Sequence, residues 1–143
     1  LRGLNARMEE LHAAVLREKL RRLDGWNARR AALASRYRRR LSEMAGVVGP
    51  GVPPWAGHAW HLFVVEVDNR DAVREKLDAA GVGTAVHYPL PPHRTRALEG
   101  AGPFPPLPVT ERLSRRVLSL PLHPFLEDAQ AERVMGTLAE VVA

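Results

Sequence analysis

The run Val86-His87-Tyr88-Pro89-Leu90-Pro91-Pro92-His93 places two imidazoles, a phenol and three prolines within eight residues. A neutral imidazole and a phenol can hydrogen-bond sugar hydroxyls or a diphosphate. Proline stiffening lowers the entropy lost when such a loop is ordered around a ligand. His87 and His93 could also be two ligands of a metal, but no third ligand lies at a diagnostic spacing. His87 can equally be a satisfied polar residue at a strand end and Tyr88 a packing residue; ligand contact is the functional alternative, with His93 ranked below them and no metal site expected.

A second group lies near the start of the chain, at Gly3-Leu4-Asn5-Ala6-Arg7-Met8. Asn5 precedes a helix with Glu9 and Glu10 in its first turn, so it can be read as an N-cap beside a surface arginine. The same geometry also permits an anion site. Free N–H groups, a positive dipole end, an amide and a guanidinium would converge there. Leu118-Ser119-Leu120-Pro121-Leu122-His123-Pro124 is a strand ended by proline, and Ser119 and His123 are taken as structural. The chain has no serine nucleophile elbow, P-loop or dinucleotide fingerprint.

The elements that must position these residues follow from periodicity. From Met8 to Met44, apolar residues recur at steps of three and four (Met8, Leu11, Val15, Leu16, Leu20, Leu23, Trp26, Leu33, Tyr37, Leu41, Met44), which predicts a long amphipathic helix. Unbroken, it would reach about 55 Å, more than the core of this chain could cover. Asp24-Gly25 is the expected joint, since glycine costs about 1 kcal/mol inside a helix. One face should then pack on something outside these residues. Residues 46–57 read as a Gly/Pro loop. Trp60–Val67, Val82–His87 and Val117–Leu120 read as strands. Helices are expected over Ala72–Ala80, capped by Asn69 or Asp71, from a Thr110 cap through Arg116, and from Asp128 to Val142. Residues 89–108 hold seven prolines and form a stiff irregular segment. The sum is an α+β unit: a long N-terminal helix (1–45), then a small domain (46–143) with a three-stranded sheet and helices on one face.

Composition narrows the class. The chain has 143 residues, 45% hydrophobic and 26% charged, with no run long and apolar enough for a membrane span. No basic-then-apolar leader opens it, and its first residue is Leu1, which suggests a piece of something longer. Cysteine is absent, excluding disulfides and thiolate chemistry and agreeing with a cytoplasmic protein. The net charge of +5 rests on arginine, because Lys19 and Lys76 are the only lysines. The run Arg29, Arg30, Arg36, Arg38, Arg39 and Arg40 spreads around a helix and reads as a solvated face. It lacks the aromatic interleaving of a nucleic-acid reader, so no nucleic-acid or membrane partner is expected.

Together, Gly3, Asn5, Arg7, Met8, Glu10, Ala13 and Ala14, the His87-Tyr88-Pro89-Leu90-Pro91-Pro92-His93 run, and Leu118–Pro124 resemble the C-terminal third of the DegT/DnrJ/StrS sugar aminotransferases. This chain departs from the family pattern at Ala6, His12 and Pro92. The resemblance implies the small C-terminal domain of a fold-type I enzyme dependent on pyridoxal 5'-phosphate. It implies that Asn5 reaches the cofactor phosphate across a homodimer, and that Arg7, His87 and Tyr88 lie on the substrate side. The complete enzyme would move an amino group, typically from glutamate, to a nucleotide-linked keto sugar. Its Schiff-base lysine precedes the matched region, so the chain alone is expected to have no catalytic residue and no activity. Two rivals remain: a non-catalytic regulatory relative, and a small basic nucleic-acid or protein-binding module.

Overall fold

The computed structural model describes residues 8–143, so Asn5 and Arg7 lie outside the described residues. Helix α1 spans Glu10–Leu20 and α2 spans Leu23–Leu41. The expected long helix is thus interrupted at Arg21-Arg22, three residues before Asp24-Gly25. Gly25 falls in the first turn of α2, where backbone N–H groups lack intrahelical partners and glycine weakens the helix least. Asp24 in the same turn favours the dipole.

The apolar stripe changes partner along its length. Leu33, Ala34, Tyr37 and Leu41 of α2 enter the core, whereas α1 buries no residue at all. Met8, Leu11, Val15, Leu16 and Leu20 face solvent, Leu11 with 74% of its surface exposed. The expectation of an uncovered helical face holds for α1.

Among the described residues the sheet has three antiparallel strands in the order β1 (Val47–Val48), β2 (Phe63–Val67), β3 (Val117–Leu120). Two sequence expectations are corrected here. Val82–His87 forms no strand; only Ala85 bridges to Ser119. The third strand comes instead from Val47 and Val48, within the stretch read as a loop. Two β-branched residues after Gly46, whose φ of +79° suits glycine, suffice to pair with Val67 and Glu66. The central strand also starts later than expected, at Phe63. Trp60 adopts a φ of +52°, and its N–H donates to His58 Nδ1 at 2.9 Å, which turns the chain away from extended geometry.

Strand alternation sorts the two faces. Phe63, Val65, Val67, Leu118 and Leu120 point into the core with Leu33, Tyr37, Leu77, Met135 and Leu138. Helices α2, α3 (Arg70–Ala79) and α5 (Asp128–Val142) supply the residues that cover this face. Phe63 meets Tyr37 edge-on at 5.1 Å and stacks with Trp60 at 5.6 Å. The buried phenol of Tyr37 donates to the Pro121 carbonyl at 3.0 Å. Burial, reinforced by the charge of Glu132, pushes that phenol well above its ordinary range.

Helix ends follow local chemistry, with two departures. Asn69 occupies the N-cap of α3, but in a left-handed conformation and without a side-chain cap bond. Helix α4 (Pro108–Arg116) starts at Pro108, not Thr110, because proline tolerates the first helical position, where no N–H is needed. Gly81, at φ +76°, ends α3 as expected. The start of α5 is closed by a capping box between Glu127 and Gln130.

Candidate functional site

The opposite face of the sheet presents Val64, Glu66, Val117 and Ser119, and the His-Tyr segment bridges to the edge of β3, from where His87 reaches the Ser119 side chain. Val86 and His87 follow the Ala85 bridge, where Ser119 N–H donates to Ala85 at 2.7 Å and Ala85 N–H returns a bond at 3.2 Å. This ties the segment to β3 at one residue, and the prolines carry it away again. His87 is half-buried, with Nδ1 2.8 Å from the Ser119 hydroxyl. Tyr88 is 72% exposed, and its ring meets His87 edge-on at 5.4 Å.

The two residues line a cavity of about 270 Å³ together with Pro91, Thr110, Leu113 and Val117 among others. Its wall is mostly apolar, with few polar groups, as in small-ligand sites. His87 and Tyr88, paired from sequence, are therefore together at one open cavity.

His93 behaves differently. It sits in a single 3-10 turn (Pro92–Arg94), and its Nε2 lies 3.4 Å from Glu111, which also receives Arg94 at 2.9 Å. One carboxylate of α4 thus pins the far end of the loop, so His93 acts as an anchor. Its Nδ1 is buried without a partner among the described residues. No group of three or more His, Asp or Glu suited to a metal occurs among the described residues.

Ser119 is the residue that sequence reasoning missed. The signal was present in the alternation of Val117–Leu120, which turns Ser119 away from the core face. Its partner, thirty-two residues distant, was not visible.

Arginines elsewhere are largely engaged. Arg112 and Arg116 pair with Glu66 and Asp68. Arg70, only 8% exposed, donates to the carbonyls of Ser114 and Val117 at 3.3 Å and to Asp71 at 2.6 Å. On α2, Arg29 and Arg36 both reach Asp128 of α5, and Arg30 donates to the Ala59 carbonyl. Only part of the run read as a solvated face is free of such bonds. Asp128 is held below the ordinary carboxylate range, chiefly by its hydrogen bond from Arg29.

The lysines provide no pyridoxal phosphate site by themselves. Lys19 is exposed on α1 and Lys76 is exposed in the last turn of α3. Neither is enclosed beside an acid among the described residues.

Residues 1–139 match the DegT/DnrJ/EryC1/StrS aminotransferase family. The chain belongs to this family. It is 49% identical over 140 residues to the erythromycin biosynthesis sensory transduction protein EryC1 of Saccharopolyspora erythraea, covering 96% of this chain and 38% of that protein. It is 47% identical over 143 residues to the dTDP-3-amino-3,4,6-trideoxy-alpha-D-glucose transaminase of Streptomyces venezuelae, covering 97% and 37%. Among solved structures, S. venezuelae DesV in complex with a ketimine intermediate superposes with a TM-score of 0.90. The identity is 44%, over 98% of this chain and 38% of that one. The chain spans a little over a third of the length of these relatives, and the match lies in their C-terminal portion. The α+β architecture is that of the fold-type I aminotransferases.

Proposed function

We propose that this chain supplies the substrate-side wall of a pyridoxal-phosphate-dependent sugar aminotransferase. In the assembled homodimer, Asn5 would hold the cofactor phosphate, and Arg7, His87 and Tyr88 would contact a nucleotide-linked keto sugar. Amino transfer from glutamate would then require a Schiff-base lysine supplied by the remaining portion of the enzyme, in the cytoplasm. In this division of labour residues 1–45 are an arm and 46–143 a body that carries the His-Tyr loop. The single observation that carries the reading is the placement of His87 and Tyr88 at one open cavity, in a chain 47% identical to a dTDP-sugar transaminase.

What these side chains can do is bind and orient. A ring nitrogen and a phenol hydroxyl at a solvent-open cavity suit sugar hydroxyls or phosphate oxygens. On this reading the proton-moving chemistry falls to residues outside this chain.

The test is reconstitution. The chain is co-expressed with the N-terminal portion of the S. venezuelae transaminase, and amino transfer to a dTDP-linked keto sugar is measured. Activity in the pair, with KM raised by His87→Ala or Tyr88→Phe while the chain alone stays inert, is the expected outcome. Unchanged kinetics in both variants would remove these residues from the site. The name of the 49%-identical EryC1 protein favours a second reading, a regulatory relative that binds without reacting. That reading predicts ligand binding by the reconstituted pair with no turnover.

A further inference from the structure

We propose that the Ser119 hydroxyl is a positioning group that holds His87 as its neutral Nε2–H tautomer, so that the ring offers a donor to an acceptor oxygen of the ligand. The inference rests on the reading of His87 as a ligand-side residue and names the polarity of its contact.

The backbone of Ser119 is already committed. Its N–H and carbonyl both pair with Ala85, and β2 flanks it on the other side through Val64. Only the side chain remains to meet the loop, and it is aimed at His87 from a residue that is 4% exposed. Among the described residues, the hydroxyl has no hydrogen-bond partner except His87 Nδ1.

Proton placement follows from what a hydroxyl needs. Ser119 brings one O–H donor and acceptor lone pairs. Were Nδ1 protonated, the ring would donate to the hydroxyl oxygen, and the hydroxyl proton would be left in a buried place without an acceptor. A buried donor left without an acceptor carries its full desolvation penalty. With Nδ1 bare, the hydroxyl donates to it and both groups are satisfied. The ring proton then sits on Nε2, which has no hydrogen-bond partner among the described residues.

Such a ring recognises acceptors. A phosphate oxygen or a sugar hydroxyl lone pair accepts from Nε2–H, whereas an ammonium group has nothing to accept with. Ser119 therefore contributes to specificity without touching the ligand, through the tautomer of its neighbour.

The experiment reads the tautomer directly. The 143-residue chain is labelled with ¹⁵N-histidine, and long-range proton–nitrogen correlations are recorded at about pH 8.5, where an ordinary imidazole is neutral. The signals of His87 are identified by their loss in His87→Gln. A protonated Nε2 and a bare Nδ1 are expected. Ser119→Ala should lower the Nε2–H to Nδ1–H ratio about fivefold, the effect of one neutral hydrogen bond. Ser119→Thr, which keeps the hydroxyl, should restore it. Amide exchange at Ala85 should stay unchanged in all variants, because the bridge uses backbone groups only. A protonated Nδ1 in the unaltered chain, or a ratio unmoved by Ser119→Ala, overturns the proposal. The readout belongs to the free ring. Failure of the wider functional reading, seen as an inert reconstituted pair, leaves it untouched.

Discussion

Arg29 of α2 and Asp128 of α5 meet at 2.7 Å, and the same guanidinium nitrogen donates to the Leu126 carbonyl at 2.7 Å. Arg36, two helical turns further along, reaches the second carboxylate oxygen at 2.8 Å. The closing helix is thus clamped to α2 at its first turn, where a negative side chain also complements the helix dipole. Because the folded carboxyl is held below its unfolded value, its contribution is complete above about pH 4 and is lost as pH falls through the folded value. The melting temperature of the unaltered chain should therefore drop more steeply between about pH 5 and 3 than that of Asp128→Asn. Parallel curves for the two proteins would show that the clamp adds nothing to stability.

Tyr37 gives the opposite limb. Its phenol is pushed up by burial, so the unfolded chain releases this proton first as pH rises past 10. Its share of stability is complete below that value and declines above it. Tyr37→Phe keeps the ring against Phe63 and loses the bond to Pro121, a change of about 0.5–1.5 kcal/mol at neutral pH. Denaturant titration at pH 7 and again near pH 11 checks both points, since the difference between the proteins should shrink at the higher pH.

Leu118 is fully buried on the core face of β3. Leu118→Ala should cost about 2–5 kcal/mol in urea unfolding. Leu11→Ala, on the exposed α1, should change stability by less than about 0.5 kcal/mol. Equal effects would mean that α1 is covered in solution.

That possibility has its own test. The stripe Leu11, Val15, Leu16 and Leu20 is exposed, and so much contiguous apolar surface favours association. Sedimentation of the chain should show mass rising with concentration, and Leu11→Glu with Leu16→Glu should return it to a monomer. A sharp monomer at every concentration would refute the expectation.

Neither lysine should form an enclosed internal aldimine. The chain with added pyridoxal phosphate should give no enclosed-aldimine absorbance and no turnover of an amino donor, since Lys19 and Lys76 are both exposed. A borohydride-reducible, stoichiometric adduct at either residue would reverse that assignment.

The sequence by itself determined the family and most of the elements. The 3.6-residue spacing of Leu33, Tyr37 and Leu41 required a helix with a buried stripe, and the β-branched run ending at Val67 required a strand. It also paired His87 with Tyr88, because neighbours in a proline-stiffened segment stay neighbours in space. What it could not decide was long-range partnership. Val47–Val48 became the edge strand while Val82–His87 did not, because pairing depends on which segment the folded sheet can reach, and two valines carry almost no local signal. Ser119 is an ordinary strand residue until tertiary packing brings His87 within 2.8 Å of it. Charge follows the same rule. Arginines read as a solvated face became ties between helices only when Asp128 was delivered to them from far downstream, since an ion pair is a property of two positions and a sequence pattern reports on one.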